Sequence, residues 1–329
     1  MEEYPKSSRR GFLKTVAAGT LVVAGCRDGG VTVVGQSPVK SPVSGVDIMK
    51  IRDVVEQSRA VATLEGAGVH LRRVFGFQQD NRYDPFLLMD DFRSDEPAHY
   101  SAGFPWHPHR GIETITYVLA GEVEHGDSMG NHGTIGPGDV QWMTAGKGII
   151  HQEMPHGDLE GRMHGFQLWA NLPAADKMMS PRYRDIKANE IPTVSLADGV
   201  TVKIIAGDVG GVKGPVQDVV IEPEYLDVFV PQGASFVHEI NKDHSAFAYV
   251  YDGIGKFGAS EADNRTLVRF GDGDAVKIIG VADEGVRFLL VSGRPLGEPV
   301  AWRGPIVMNT QEELVQAFQE LHDGTFLKR

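Results

Sequence analysis

Glu113-Thr114-Ile115-Thr116-Tyr117-Val118-Leu119 is followed, after a glycine-punctuated interval, by Pro137-Gly138-Asp139-Val140-Gln141-Trp142-Met143-Thr144. Both apolar runs are of strand length and rich in β-branched and aromatic residues, and Pro-Gly-Asp is a turn signal. Gly121, Gly126, Gly130, Gly133 and Gly136 break the interval between them. A chain that goes out, turns and comes back in this way builds antiparallel strands of a small barrel. The same grammar recurs outward at Gly165–Ala170, Leu226–Val230, Phe247–Tyr251 and Val286–Val291. Helical periodicity is scarce until the C-terminus. There Thr310 and Glu313 form a capping box, Leu314, Ala317, Phe318 and Leu321 make an apolar stripe, and Gly324 is a stop.

These features predict an all-β protein with a C-terminal helix. The chain has 329 residues, enough for two barrels in tandem, with a break near Pro173 to Pro192. The expected domains are 50–175 and 190–329. Its 40 Gly exceed the usual share of about 7%, as many tight turns require. A single Cys excludes a disulfide framework and any multi-Cys metal site. A net charge of −12 disfavours nucleic acid as a partner, since phosphate neutralisation needs a basic surface.

Residues 1–26 read as an address. Ser8-Arg9-Arg10-Gly11-Phe12-Leu13-Lys14 resembles the core of a bacterial twin-arginine export signal. The apolar run Val16 to Gly25 is too short to cross a hydrocarbon core of about 30 Å at about 1.5 Å per residue, and reads as the signal's apolar region. Val23-Ala24-Gly25-Cys26 resembles a lipoprotein box, so Cys26 is a candidate lipid anchor; the alternative is a free thiol beyond an ordinary cleavage site. Residues 27–49, with Gly29, Gly30, Gly35, Pro38, Pro42 and Gly45, read as a flexible linker. Export would place the protein in the periplasm or cell envelope.

Eight of the twelve His fall between residues 99 and 164. Trp106-His107-Pro108-His109-Arg110-Gly111 and His151-Gln152-Glu153 each carry ligand-type residues two apart, which share one face of a strand. Paired strands would bring three imidazoles and one carboxylate together. Such a set suits a divalent first-row ion, Fe(II) first, with Mn, Ni, Cu or Zn also allowed, and leaves positions open for substrate or O₂. The other histidines of this window, His125, His132, His156 and His164, read as turn or strand-edge residues. Trp106, Trp142 and Trp169 read as core, with Trp106 a candidate for the mouth of the site. His238 and His244 have no paired neighbour and read as packing.

With these residues in hand, a family resemblance is evident. His107-Pro-His-Arg-Gly-Ile-Glu-Thr-Ile-Thr-Tyr117, Gly121-Glu-Val-Glu-His125, Gly138-Asp-Val-Gln-Trp-Met-Thr-Ala-Gly146 and Gly148-Ile-Ile-His-Gln-Glu153 resemble the signature of the pirin family of bicupins. Asp84-Pro-Phe-Leu-Leu-Met-Asp90 and Gly304-Pro-Ile-Val-Met-Asn-Thr310 fit it as well. The resemblance implies two tandem cupin barrels (double-stranded β-helices, or jelly rolls) with one iron in the N-terminal barrel. It carries the metal ligands onto His107, His109, His151 and Glu153. Glu113 stands where many other cupins have their carboxylate ligand. The pirin pattern instead favours Glu153 and leaves Glu113 beside the ligands or paired with Arg110. Some pirins act as flavonol 2,3-dioxygenases, so the resemblance implies a small aromatic substrate such as quercetin, O₂ as co-substrate, and release of carbon monoxide. Glu153 is then the expected acceptor of the substrate's proton. The alternative is a non-enzymatic, metal-containing binding or regulatory protein of the envelope; the sequence names no protein partner.

Overall fold

The computed structural model describes residues 49–77 and 81–327. The export signal at 1–26 with Cys26, and all of the 27–49 linker but Met49, lie outside the described residues. Each strand-like run named above lies within an observed strand.

The first barrel is built from two sheets. Seven strands run side by side in the order Arg182–Ile186, Val140–Thr144, Ile112–Ala120, His164–Asn171, Phe86–Asp91, Val69–Phe75 and Val61–Glu65. Four more, Phe104–His109, Ile149–His156, Glu122–Asp127 and His132–Ile135, make the second sheet. Val69, Leu71 and Val118 of the larger sheet pack with Val123 and Ile135 of the smaller. Alternation along Ile112–Ala120 sends Thr114, Thr116 and Val118 one way and Glu113, Ile115 and Tyr117 the other. Both faces are buried, because the outer face of the large sheet meets the second barrel.

The second barrel centres on Glu224–Val230, Ser245–Phe257, Thr266–Phe270 and Val286–Gly293, with Ser235–Glu239 and Ala275–Gly280 closing it. The long strand Ser245–Phe257 pairs with Thr266–Phe270 early and with Ala275–Gly280 late. It bends at a register shift between Val250 and Asp252, beside Gly253, whose φ is +69°. That bend turns one strand into a member of both walls. Val202, Leu226, Val228, Phe236, Phe257 and Phe288 fill the interior.

Between the barrels, Ile115, Tyr117, Phe166 and Leu168 pack with Tyr225, Phe247, Tyr249 and Leu289. Three of the tyrosine hydroxyls of this layer find buried carboxylates, while that of Tyr225 has no hydrogen-bond partner among the described residues. The Tyr117 and Tyr251 hydroxyls donate to opposite oxygens of buried Asp227, at 2.7 and 2.6 Å. Tyr249 donates to Asp91 across the interface at 2.8 Å.

Both chain ends cross the division expected at 175–190. Val54–Arg59 adds to the second barrel through Thr266–Phe270. At the other end, the hairpin Ala301–Arg303/Ile306–Met308 and the helix Gln311–His322 pack against the first. The helix is capped as the sequence indicates. Thr310 accepts from the Glu313 backbone N–H, and Glu313 from that of Thr310. Leu314 and Ala317 are buried with Phe326, and Phe318 and Leu321 lean on the same cluster.

Tyr117→Phe and Tyr251→Phe each remove one donor from a buried carboxylate and should each cost about 1–3 kcal/mol in urea unfolding. The double variant should lose more than the sum, because Asp227 then keeps neither hydroxyl. Simple additivity would show that Asp227 is solvated from elsewhere.

Candidate metal centre

Phe104–His109 and Ile149–His156 are antiparallel neighbours, with His107 opposite His151 and His109 opposite Ile149. This register brings His107, His109 and His151 to one point inside the first barrel, where their ligating atoms lie within 4.8 Å of one another. The ring centroids of His107 and His109 stand 4.4 and 5.0 Å from that of His151.

The tautomers follow from the neighbours. His107 Nδ1 lies 2.9 Å from the Pro105 carbonyl oxygen, and His109 Nδ1 lies 3.0 Å from that of Pro305. A carbonyl only accepts, so each Nδ1 carries the proton. Each Nε2 is then a bare lone pair, yet these two atoms face each other at 3.1 Å. Neither ring nitrogen of buried His151 has a hydrogen-bond partner among the described residues. Burial lowers the pKa of all three; it and then the neighbouring His107 ring hold His109 down at about 3. Three neutral imidazoles with lone pairs converging and nothing protein-borne to satisfy them are the donor set of a transition-metal site. The residues fit an ion.

Glu153 is also buried and lines the same cavity, but its carboxylate lies outside the three-histidine group. It accepts from the Thr116 hydroxyl at 2.8 Å, and burial pushes its pKa up to about 7. Gln167 sits 2.9 Å from the same hydroxyl.

Glu113 is on the other side of the sheet. The turn at Arg110-Gly111 interrupts the alternation, so counting by twos from His109 gives the wrong face. Gly111 has φ +80°, and a Cβ there would collide with the Val307 carbonyl oxygen. Glu113 accepts from Trp142 Nε1 at 3.1 Å and from the Thr144 hydroxyl at 2.5 Å, and makes no pair with Arg110. Arg110 instead bonds Glu320, the Phe326 carbonyl and the Lys147 carbonyl, each at 2.8 Å.

Other expectations need correction. His125 is no strand-edge residue: it is buried, stacks on Tyr183 at 4.7 Å, and its ring lies 5.4 Å from His151. Its Nε2 is 3.3 Å from Asp127, two residues on, so the spacing rule that finds the ligands would have found this pair too. Trp142 is core, but Trp106 is 53% exposed and does not line the cavity. Trp169 does line it, edge-on to His109 at 5.0 Å. In the second barrel, His238 bonds Glu224 at 3.0 Å, while His244 Nδ1 lies 3.3 Å from Ser292.

His107 and His109 open onto a cavity of about 690 Å³. Leu71, Leu88, Phe92 and Phe104 supply apolar wall, and Arg73 crosses it with a bidentate pair to Asp90 at 2.9 and 2.8 Å. Trp302 and Pro305 arrive from the far end of the chain, a contribution that no local pattern announces.

Without metal, the buried rings stay neutral while an unfolded chain protonates its histidines near their ordinary value of about 6.5. Between there and about 3 the unfolded state binds more protons, so stability falls as pH falls, by about 1.4 kcal/mol per pH unit for each proton taken up. Buried Glu153 and Asp90, raised to about 7 and about 6, take up protons in the folded state over part of this range and offset some of the loss; the three rings outnumber them, so the melting midpoint of metal-stripped protein should drop between pH 7 and pH 5. Adding Ni(II) or Fe(II) should raise it at pH 7 and do so less at pH 5. A midpoint indifferent to both would mean that the rings are solvated.

Comparison with known proteins agrees with the two-barrel fold. The Pirin family model matches residues 68–170, and that of the Pirin C-terminal cupin domain matches 225–327. A pirin-like protein of Caulobacter vibrioides is 44% identical over 279 residues, 84% of this chain and all of that one. Human pirin is 41% identical over 265 residues, 79% and 88% of the two chains. The crystal structure of a quercetin 2,3-dioxygenase from Acinetobacter baumannii superposes with a TM-score of 0.77 at 30% identity, covering 84% and 98%. This two-barrel chain, with three histidines gathered in its first barrel, belongs to the pirin family of cupins.

Proposed function

We propose that the protein is a metal-dependent oxygenase of the first barrel that opens flavonols such as quercetin with O₂ and releases carbon monoxide. The observation that carries this reading is the pair of imidazole Nε2 atoms facing each other at 3.1 Å beside an aromatic-walled cavity of about 690 Å³. His107, His109 and His151 hold the ion, Fe(II) first among the candidates, and Glu153 is its acidic partner. When bound, the ion supplies Lewis acidity toward the flavonol's 3-hydroxyl and a coordination position for O₂.

The chain's own residues do the rest. Glu153, with a pKa of about 7, is poised to take the 3-hydroxyl proton near neutral pH. Thr116 holds one carboxylate oxygen and so sets where the proton arrives. Leu88, Phe92 and Trp169 exclude water from around the reacting ring. The quercetin 2,3-dioxygenase of Acinetobacter baumannii, similar along nearly its whole length, supports the choice of substrate. We place this work in the cell envelope, on the twin-arginine motif around Arg9 and Arg10 and the lipid-anchor candidate Cys26.

The test is carbon monoxide release from quercetin by iron-loaded protein under O₂. His109→Ala should lose both bound metal and release. Glu153→Gln should retain metal bound by the three imidazoles and slow release about a hundredfold or more. Iron-loaded protein that yields no O₂-dependent carbon monoxide from any flavonol sinks the reading. For location, replacing Arg9 and Arg10 by Lys should leave the protein in the cytoplasmic fraction; an unchanged envelope fraction would refute the signal.

A further inference from the structure

We propose that the strap Trp302–Pro305 is a working wall of the first-barrel site, and that Trp302 determines its preference for planar aromatic ligands. This rests on the reading above for the ligand class, though not on turnover.

The strap comprises the end of the strand Ala301–Arg303 and the Gly304-Pro305 turn that leads into Ile306–Met308, and it is locked into the first barrel at several points. The Pro305 carbonyl accepts from the His109 Nδ1–H at 3.0 Å. The Val307 N–H donates to the Arg110 carbonyl at 3.1 Å. The Arg110 guanidinium bonds Glu320 and the Phe326 carbonyl, and lies 4.1 Å from the centroid of the Phe326 ring. A segment held this way cannot swing without disturbing the residue that orients an imidazole of the centre.

Trp302 is presented by that locked turn. Its indole N–H donates to the Gly304 carbonyl at 2.7 Å, inside the strap, so the polar tip is satisfied without help from a ligand. What remains is an apolar ring at the cavity. Its centroid stands 6.0 Å from Trp169 at an interplanar angle of 44°, and 5.3 Å from Phe77 at 89°. Trp169 in turn stands edge-on to His109 at 5.0 Å. A series of edge-on and tilted aromatic contacts therefore runs from His109 through Trp169 to Trp302. A rigid planar ligand that stacks on the Trp302 ring loses little conformational entropy; an aliphatic side chain at 302 would cover the same area and lose the stacking.

The experiment is calorimetric titration of the full chain with flavone, which lacks the 3-hydroxyl, so that coordination through that group cannot mask the slot. Trp302→Leu should weaken flavone binding about tenfold, and Trp302→Phe should stay within about threefold, the difference being aromatic stacking. Bound metal, by elemental analysis, should equal that of the unaltered chain in both variants. Equal flavone affinity in the Leu and Phe variants, or no flavone binding by the unaltered chain, overturns the proposal. Because the readout needs neither O₂ nor turnover, flavone binding through Trp302 without carbon monoxide release would uphold the slot and reject the dioxygenase. Carbon monoxide release with flavone affinity unmoved by Trp302→Leu would do the reverse.

Discussion

Two proline carbonyls decide the chemistry of this protein. Pro105 and Pro305 each accept a hydrogen bond from the Nδ1–H of a histidine, and so leave Nε2 of His107 and His109 facing each other as lone pairs. A lone pair facing a lone pair at that distance is unfavourable unless a cation lies between or beside them. Burial closes the alternative of protonation by penalising the imidazolium. The barrel thus arranges its centre so that an electron-pair acceptor relieves it, and the cavity beside it inherits its purpose from that fact.

The two carbonyls come from different halves of the chain, which gives the fold its logic. Pro105 lies in the ligand strand itself, whereas Pro305 is brought in by a hairpin that crosses from the second barrel's end of the sequence. Val54–Arg59 makes the reciprocal crossing at the N-terminal side. Between them, Tyr117, Tyr251 and Asp227 knit the sheets where an unsatisfied carboxylate would otherwise be buried. Neither barrel is complete without residues from the other half of the chain.

Two buried glutamates point to opposite sides of the first barrel's wall, and burial raises the pKa of both. Glu153, on the smaller sheet, faces the cavity with a single neutral hydroxyl on it. Glu113, on the larger sheet, faces the second barrel, with Trp142 and Thr144 as donors. The residue that separates these roles is Gly111: its positive φ breaks the strand between His109 and Glu113, and the backbone of Val307 occupies the space a side chain would need. Two acids close to the same histidine motif thereby serve different ends, one chemical and one structural.

Much of this was legible in the chain. Spacing by twos marked His107 with His109 and His151 with Glu153, because strand geometry is local and repeats every second residue. The runs at 113–119 and 140–144 and the capping box at Thr310 are likewise local, and each stands in the structure as read. A turn breaks the alternation at Arg110-Gly111, so Glu113 stands off the face that counting by twos from His109 gives it, and it bonds Trp142 and Thr144 rather than Arg110. His125 was passed over although the same rule reaches it. Pro305 and Trp302 were beyond any such rule: their place beside His109 is a contact between residues 196 apart in the sequence for Pro305, and only the packing of one half of the chain against the other decides it. Local sequence determined which side chains would share a strand face, since that follows from backbone periodicity. The tertiary structure alone decided which proton each imidazole keeps and what closes the cavity, since both depend on groups that meet only through folding.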